Sequence, residues 1–207
     1  MAKQQQESSS AIYWNNIIIS LVTLSVLTLM VFYMPKMREI DVNILHSIRL
    51  ALSPYSTNIP NFVSNFGYAN HMLWPQIAAC SVFLSHRKYV KTFLLVFIMQ
   101  ATFVIVSLLK DFVCRQRPCV YPGFSFPSGH SATAMCFYGI VIYLIWKHCG
   151  IKFWKYFITA SLAIFIALVA VSRLWLGVHF LTDVIAGLAL GFLMMNLYVI
   201  LERFFTK

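Results

Sequence analysis

The chain has 207 residues, of which 60% are hydrophobic and 11% are charged. A soluble domain of this length carries roughly 25% charged residues, so the composition excludes a soluble globular protein and points to an integral membrane protein. A net charge of +10 would raise nucleic acid as a partner for a soluble chain, but here the basic residues fall in short loops between apolar stretches, where they signal orientation and imply no nucleic-acid partner.

Met1–Ser10 is polar and is expected to be a disordered tail; residues 11–207 read as a single membrane domain, with no internal repeat and no low-complexity segment. Six apolar stretches follow in order: Tyr13–Met34, Tyr68–Leu84, Val90–Leu109, Gly129–Trp146, Phe153–Val171 and Phe180–Leu201. Each approaches the roughly 20 residues that a helix needs to cross the hydrocarbon. The second is short and contains Pro75. The first is an anchor rather than a signal peptide: it has no basic region beyond Lys3, its apolar run is too long, and no small-x-small cleavage site follows. The expected fold is therefore all-α, an integral membrane six-helix bundle.

Between the first two spans, Pro35–Gly67 is a long connection with apolar content of its own. Ile44, Ile48 and Leu52 recur at helical spacing beside polar positions. That pattern suits a helix lying at the membrane surface, and equally a loop packed on the spans. His86–Lys91 and Lys147–Lys155 are short basic turns, consistent with cytoplasmic hairpins. With both termini inside, nine basic residues face the cytoplasm and seven face outward. The bias sharpens when Lys110, Arg117 and Arg173 are reserved for a site on the outer face. Of the five cysteines, none has zinc-ligand spacing; Cys114 and Cys119 share the outer loop and could pair, across a tightly constrained connection.

Chemistry gathers in two stretches. The first is KDFVCRQRPCVYPGFSFPSGH, from Lys110 to His130. Ser128 is a candidate N-cap for the fourth span, and Gly129 lets another group approach the backbone. Free N–H groups and the positive end of the helix dipole favour an anion there. The second stretch is SRLWLGVHFLTD, from Ser172 to Asp183. If the chain is helical from His179 onward, His179 and Asp183 share a face at i and i+4. A carboxylate so placed can hold one ring nitrogen and leave the other basic. Lys110, Arg117 and Arg173 add three cations, which a phosphate would match. Taken singly, each could be an interfacial snorkelling residue, and His130 a capping histidine.

Lys110-x6-Arg117-Pro118, Pro127-Ser128-Gly129-His130 and Ser172-Arg173-x5-His179-x3-Asp183 together resemble the three-part signature of the type-2 phosphatidic acid phosphatase family, which includes lipid phosphate phosphatases, bacterial acid phosphatases and vanadium haloperoxidases. All three parts match in order and spacing, over the middle and last third of the chain. The resemblance implies that His179 attacks phosphorus to form a phosphohistidine and that Asp183 orients it. It implies that His130 protonates the leaving oxygen. Lys110, Arg117 and Arg173, with backbone N–H groups near Ser128 and Gly129, would hold the phosphate oxygens. No metal and no other cofactor is implied, which agrees with a chain of only six acidic residues, two of them (Asp111 and Asp183) near the motifs.

Apolar spans around such a site suit a phosphate on a membrane lipid. Spans three to six are expected to form the core, with the first two packed outside. Undecaprenyl diphosphate, lipid A, phosphatidylglycerol phosphate and phosphatidic acid are the candidate substrates; analogy favours the first two, in a bacterial inner membrane with the site on the periplasmic face. The same residues would serve a lipid-to-lipid phosphotransferase, or vanadate-dependent halide oxidation, for which the membrane architecture gives no rationale. A non-catalytic lipid-phosphate binder would need only the cations. The sequence leaves the oligomeric state open.

Overall fold

A computed structural model of the chain describes residues 2–52, 55–67 and 69–206. Among the described residues there are eight helices and no strand. They are α1 (Ala2–Tyr33), α2 (Pro35–Leu52), α3 (Asn58–Asn65), α4 (Ala69–Ser85), α5 (Tyr89–Val113), α6 (Gly129–His148), α7 (Lys152–Trp175) and α8 (Leu181–Phe205). α1 includes residues 2–10, set apart above as a polar tail; its apolar span starts at Ala11. Five helices are long and apolar enough to cross a membrane: α1, α5, α6, α7 and α8. α4 coincides with the remaining expected span but has 17 residues, with Pro75 inside it.

The outer faces of these helices are apolar. Ile18, Ile19, Val22, Val26 and Leu29 of α1 are exposed, as are Phe93, Phe97, Val104, Leu108 and Phe112 of α5. Hydrocarbon is the natural solvent of such a surface, so burial inside is driven by packing and hydrogen bonding rather than by escape from water. α6 and α8 form the central pair, flanked by α5 and α7. Gly187 and Gly191 of α8 lie one turn apart against α6. A Cβ on either would collide with a backbone carbonyl, that of Ser128 or of Ala132. Small residues at this spacing are what allow two backbones to come this close. α1 packs along the far side of α8, where Asn16 Nδ2 donates to Asn196 Oδ1 at 3.1 Å, and α4 packs along α5.

Two further helices, α2 and the short α3, cap one end of the bundle. The connection whose helical spacing left two readings open is a helix, α2, packed on α1, α7 and α8. It turns Asp41 and Leu45 fully inward and Ile44, Ile48 and Leu52 partly so. α3, which no periodicity announced, packs on α7. Cys114 and Cys119 are free thiols.

Candidate active site

The capped end brings together the C-terminus of α5, the N-terminus of α6, the C-terminus of α7 and the N-terminus of α8. Each of the two sequence stretches links two of these ends, so antiparallel packing of four helices is enough to assemble the site. Lys110, Arg117, Gly129, His130, Arg173 and His179 all line one pocket of about 180 Å³. Phe103, Val106 and Ser107 of α5 form one wall of it.

Ser128 is the N-cap of α6: its Oγ accepts from Ser131 N–H at 3.4 Å. It does not line the pocket. It is fully buried, and its own N–H donates to the Asp183 carbonyl at 2.9 Å. Ser128 therefore locks α6 to α8, and the backbone that borders the pocket at this helix terminus belongs to Gly129 and His130.

His179 lies just before a helix, so the condition that the chain be helical from His179 onward is not met. α8 begins at Leu181, with Phe180 as its N-cap. The cause is Asp183, at the third helical position, whose Oδ2 accepts the Phe180 N–H at 2.8 Å and so ends the helix there. The i and i+4 relation survives across the cap. His179 Nδ1 lies 3.5 Å from Asp183 Oδ2, too far and too poorly aligned for a full hydrogen bond. On the other side of the ring, Nε2 meets Arg117 Nη1 at 3.3 Å. Arg117 also donates to the carbonyls of Val178 and Gly123, both at 3.1 Å.

His179 is 1% exposed. Burial pushes its pKa down to about 4, against the opposing pull of the Asp183 carboxylate, so the ring is neutral at neutral pH. Partial burial also lowers the Arg117 pKa, yet a guanidinium remains charged. Arg173 donates through Nη1 to Ser64 Oγ, while its buried Nε has no partner among the described residues. A buried guanidinium N–H without an acceptor is costly unless a ligand supplies one.

Sequence reasoning missed a layer behind the site. Arg115 donates to Asp183 Oδ1 at 2.6 Å, to Thr182 Oγ1 at 2.7 Å and to Asp41 Oδ2 at 2.7 Å, with its guanidinium 4.3 Å over the Phe180 ring. Asp41 in turn accepts from the Thr182 N–H at 3.2 Å and from the Thr182 hydroxyl. A carboxylate between two buried cationic or donor groups is fixed in place, and this network holds Asp183 toward His179. The available signal was Asp41 itself. It falls on the same helical face as Ile44 and Ile48, where an acid is out of place without a buried partner. Ser64 left no such signal.

A family model described as the PAP2 superfamily matches residues 91–207, which contain every residue of the pocket except Gly67. Phosphatidylglycerophosphatase B of Bacillus subtilis (strain 168) is 30% identical over 154 residues, covering 70% of this chain and 74% of that protein. Lipid phosphate phosphatase delta of Arabidopsis thaliana is 26% identical over 113 residues, covering 45% of this chain and 26% of that protein. Among solved structures, the transmembrane PAP2-type phosphatidylglycerolphosphate phosphatase from Bacillus subtilis superposes with a TM-score of 0.83 at 24% identity, over 91% of this chain and 96% of that one. That likeness extends the shared fold beyond the matched motifs to α1–α4.

Proposed function

The chain belongs to the PAP2 superfamily, and from that premise we propose that this membrane lipid phosphatase hydrolyses a phosphate monoester on a glycerolipid, through a phosphohistidine and without a metal. One observation carries the reading: both imidazoles face one small pocket together with three cations. Lys110, Arg117 and Arg173 match the charge of a phosphate, and Arg173 Nε offers a free donor for one oxygen. Arg117 rests against His179 Nε2. An arriving phosphate oxygen draws that guanidinium away and leaves the nitrogen lone pair free to attack.

Nε2 then bonds to phosphorus as the bond from phosphorus to the lipid oxygen breaks. His130 gives its proton to that oxygen. Asp183, close to Nδ1, steadies the charge that develops on the His179 ring. Water next attacks the phosphohistidine, loses a proton to His130 and releases inorganic phosphate. Positioning and charge stabilisation account for most catalysis of phosphoryl transfer. The acid nearest the nucleophile has both oxygens engaged, by Arg115 on one side and by the Phe180 N–H on the other. That supports cations, not a metal, as the charge-neutralising partners.

Among the candidate lipids, the relative at 30% identity is a phosphatidylglycerophosphatase, which moves the preference from undecaprenyl diphosphate and lipid A to phosphatidylglycerophosphate. α4 makes the sixth crossing in this reading. Its 17 residues rise about 25 Å, from the capped end at Gly67 to the turn before α5 at the opposite end. Both termini are then cytoplasmic and the site faces outward.

The test is phosphate release from purified protein. His179→Ala is expected to reduce turnover to background while inorganic phosphate still raises the melting temperature. Undiminished turnover would rule out the phosphohistidine. Activity is expected to persist in chelator and to fall with vanadate. Transfer of label to a second lipid, in place of free phosphate, would instead identify a phosphotransferase.

A further inference from the structure

The phosphate pocket has a neighbour. A cavity of about 570 Å³ lies between α3 and the α7–α8 turn, bordered by Asn61, Ser64 and Asn65 on one side and by His130, Arg173 and Tyr121 on the other. The last three residues line the phosphate pocket as well. The volume is that of a small-molecule site.

α3 is held at a fixed distance from His130. Ser64 Oγ accepts from Arg173. Thr133 Oγ1 donates to the Gly67 carbonyl at 2.7 Å. A Cβ on Gly67 would stand 2.9 Å from the His130 carbonyl oxygen and 2.8 Å from Val169 Cγ1, so only glycine permits this approach. Asn61 and Asn65 are one turn apart and both face the cavity. Neither side-chain amide has a hydrogen-bond partner among the described residues. A primary amide offers two donors and an acceptor without charge. It suits hydroxyl and ester oxygens and gives nothing to bare hydrocarbon.

From this geometry we infer that the cavity receives the alcohol released in the reaction, and that Asn61 and Asn65 bind its hydroxyl groups. The inference rests on the phosphatase reading above. In-line attack by His179 places the leaving oxygen on the far side of phosphorus, where His130 protonates it. His130 borders this cavity and His179 does not. A third cavity, of about 530 Å³ under α2, carries Arg38, His46 and Arg49 but shares only Arg117 with the phosphate pocket, and neither His130 nor His179 is in its wall. It is on the wrong side for a leaving group. The enzyme is therefore built for a hydroxylated alcohol, a glycerol or a sugar, over a plain prenyl or alkyl alcohol.

The experiment compares wild type with the Asn61→Ala, Asn65→Ala double variant of the full chain in detergent. Phosphate release is measured from phosphatidylglycerophosphate, from a lipid A 1-phosphate and from farnesyl phosphate. The kcat/KM preference for a hydroxylated lipid over farnesyl phosphate is expected to fall about tenfold in the variant, the scale of two lost neutral hydrogen bonds. Because this is a ratio within one preparation, partial unfolding cancels. A fall confined to the glycerol lipid, or to the sugar lipid, supports the inference and names the alcohol. An unchanged ratio in an active variant overturns it. Wild type that releases phosphate from none of the three would overturn the phosphatase reading itself.

Discussion

His179 combines two demands that pull its proton in opposite directions. Burial keeps the ring neutral, as the proposed nucleophile must be, while Asp183 lies 3.5 Å away, where it would stabilise the cation formed in the proposed attack. Its folded pKa of about 4 lies below the ordinary histidine value near 6.5. Between those values the unfolded chain binds a proton that the folded one does not, so stability is lost as pH falls from about 6.5 toward 4. Thermal melts in detergent at pH 7 and pH 4.5 are expected to show that loss, and a His179→Asn variant is expected to show less of it. Equal acid sensitivity in both would separate the effect from this ring. Arg173 offers a second case. It bonds Ser64 with one nitrogen and leaves Nε without a partner among the described residues, so in the proposed site it would divide its donors in a way that one ammonium cannot copy. Arg173→Lys is expected to lower kcat/KM at least about tenfold with little change in melting temperature. These residues were legible in the sequence because charges are rare in it, and because the signature residues recur in a fixed order around four helix ends. Arg115 was not. It sits in a basic loop beside Arg117; the signature spacing picks out Arg117 for the pocket but gives no sign that Arg115 turns inward to Asp41 and Asp183.

Apolar length located the span of α1 and α5 to α8, because each run is long enough to need the whole membrane. Helical spacing left α2 undecided, since a half-apolar helix can rest on lipid or on protein, and its choice depends on a partner far along the chain. Asp41 makes that choice: its carboxylate is fully buried against Arg115 and Thr182. Asp41→Ala leaves Arg115 with one buried acid in place of two. The expected cost is about 3–5 kcal/mol, the range for breaking a buried pair. The measurement is the detergent melting temperature, together with protease cleavage within α2. A surface helix held only by lipid would show neither change. Gly187 and Gly191 of α8 stand at the G-x-x-x-G spacing of a close helix contact, but the spacing does not say that α6 is the partner. Gly187→Ala pushes on the Ser128 carbonyl, one residue from the helix turn that bears His130. It is expected to lower both melting temperature and kcat. Gly191→Ala pushes on Ala132, a turn deeper, and is expected to lower the melting temperature with a smaller effect on kcat. Equal kcat losses would mean that α6 moves as a rigid rod.

The two ends of the bundle are chemically different, and the difference bears on which way the molecule sits in a membrane. At the end opposite the site, Glu202 is fully buried and gathers Lys91 Nζ at 3.0 Å, Lys147 Nζ at 2.7 Å and the Tyr143 hydroxyl at 2.9 Å. This cluster ties the start of α5 and the end of α6 to α8, as Ser128 and Asp183 tie α6 to α8 at the site end. It also changes the charge count. Glu202 engages Lys91 and Lys147, two of the nine basic residues expected on the cytoplasmic side. Arg115 joins Lys110, Arg117 and Arg173 in the site, four of the seven basic residues expected on the outer side. An excess of Lys and Arg marks the cytoplasmic side; with the Glu202 partners and the site cations set aside, the larger count lies at the Glu202 end, and we propose that the site end faces outward. Two thiols test this directly. Cys119 lies in the loop between α5 and α6 at the site end; Cys149 follows α6 at the other end, about 30 Å away along a 20-residue helix. In single-cysteine versions of the chain, an impermeant maleimide added to intact cells or right-side-out vesicles is expected to label Cys119. Cys149 is expected to react only after lysis. Labelling of Cys149 first would invert the protein, put the pocket on the cytoplasmic face, and require its lipid substrate to be drawn from the inner leaflet.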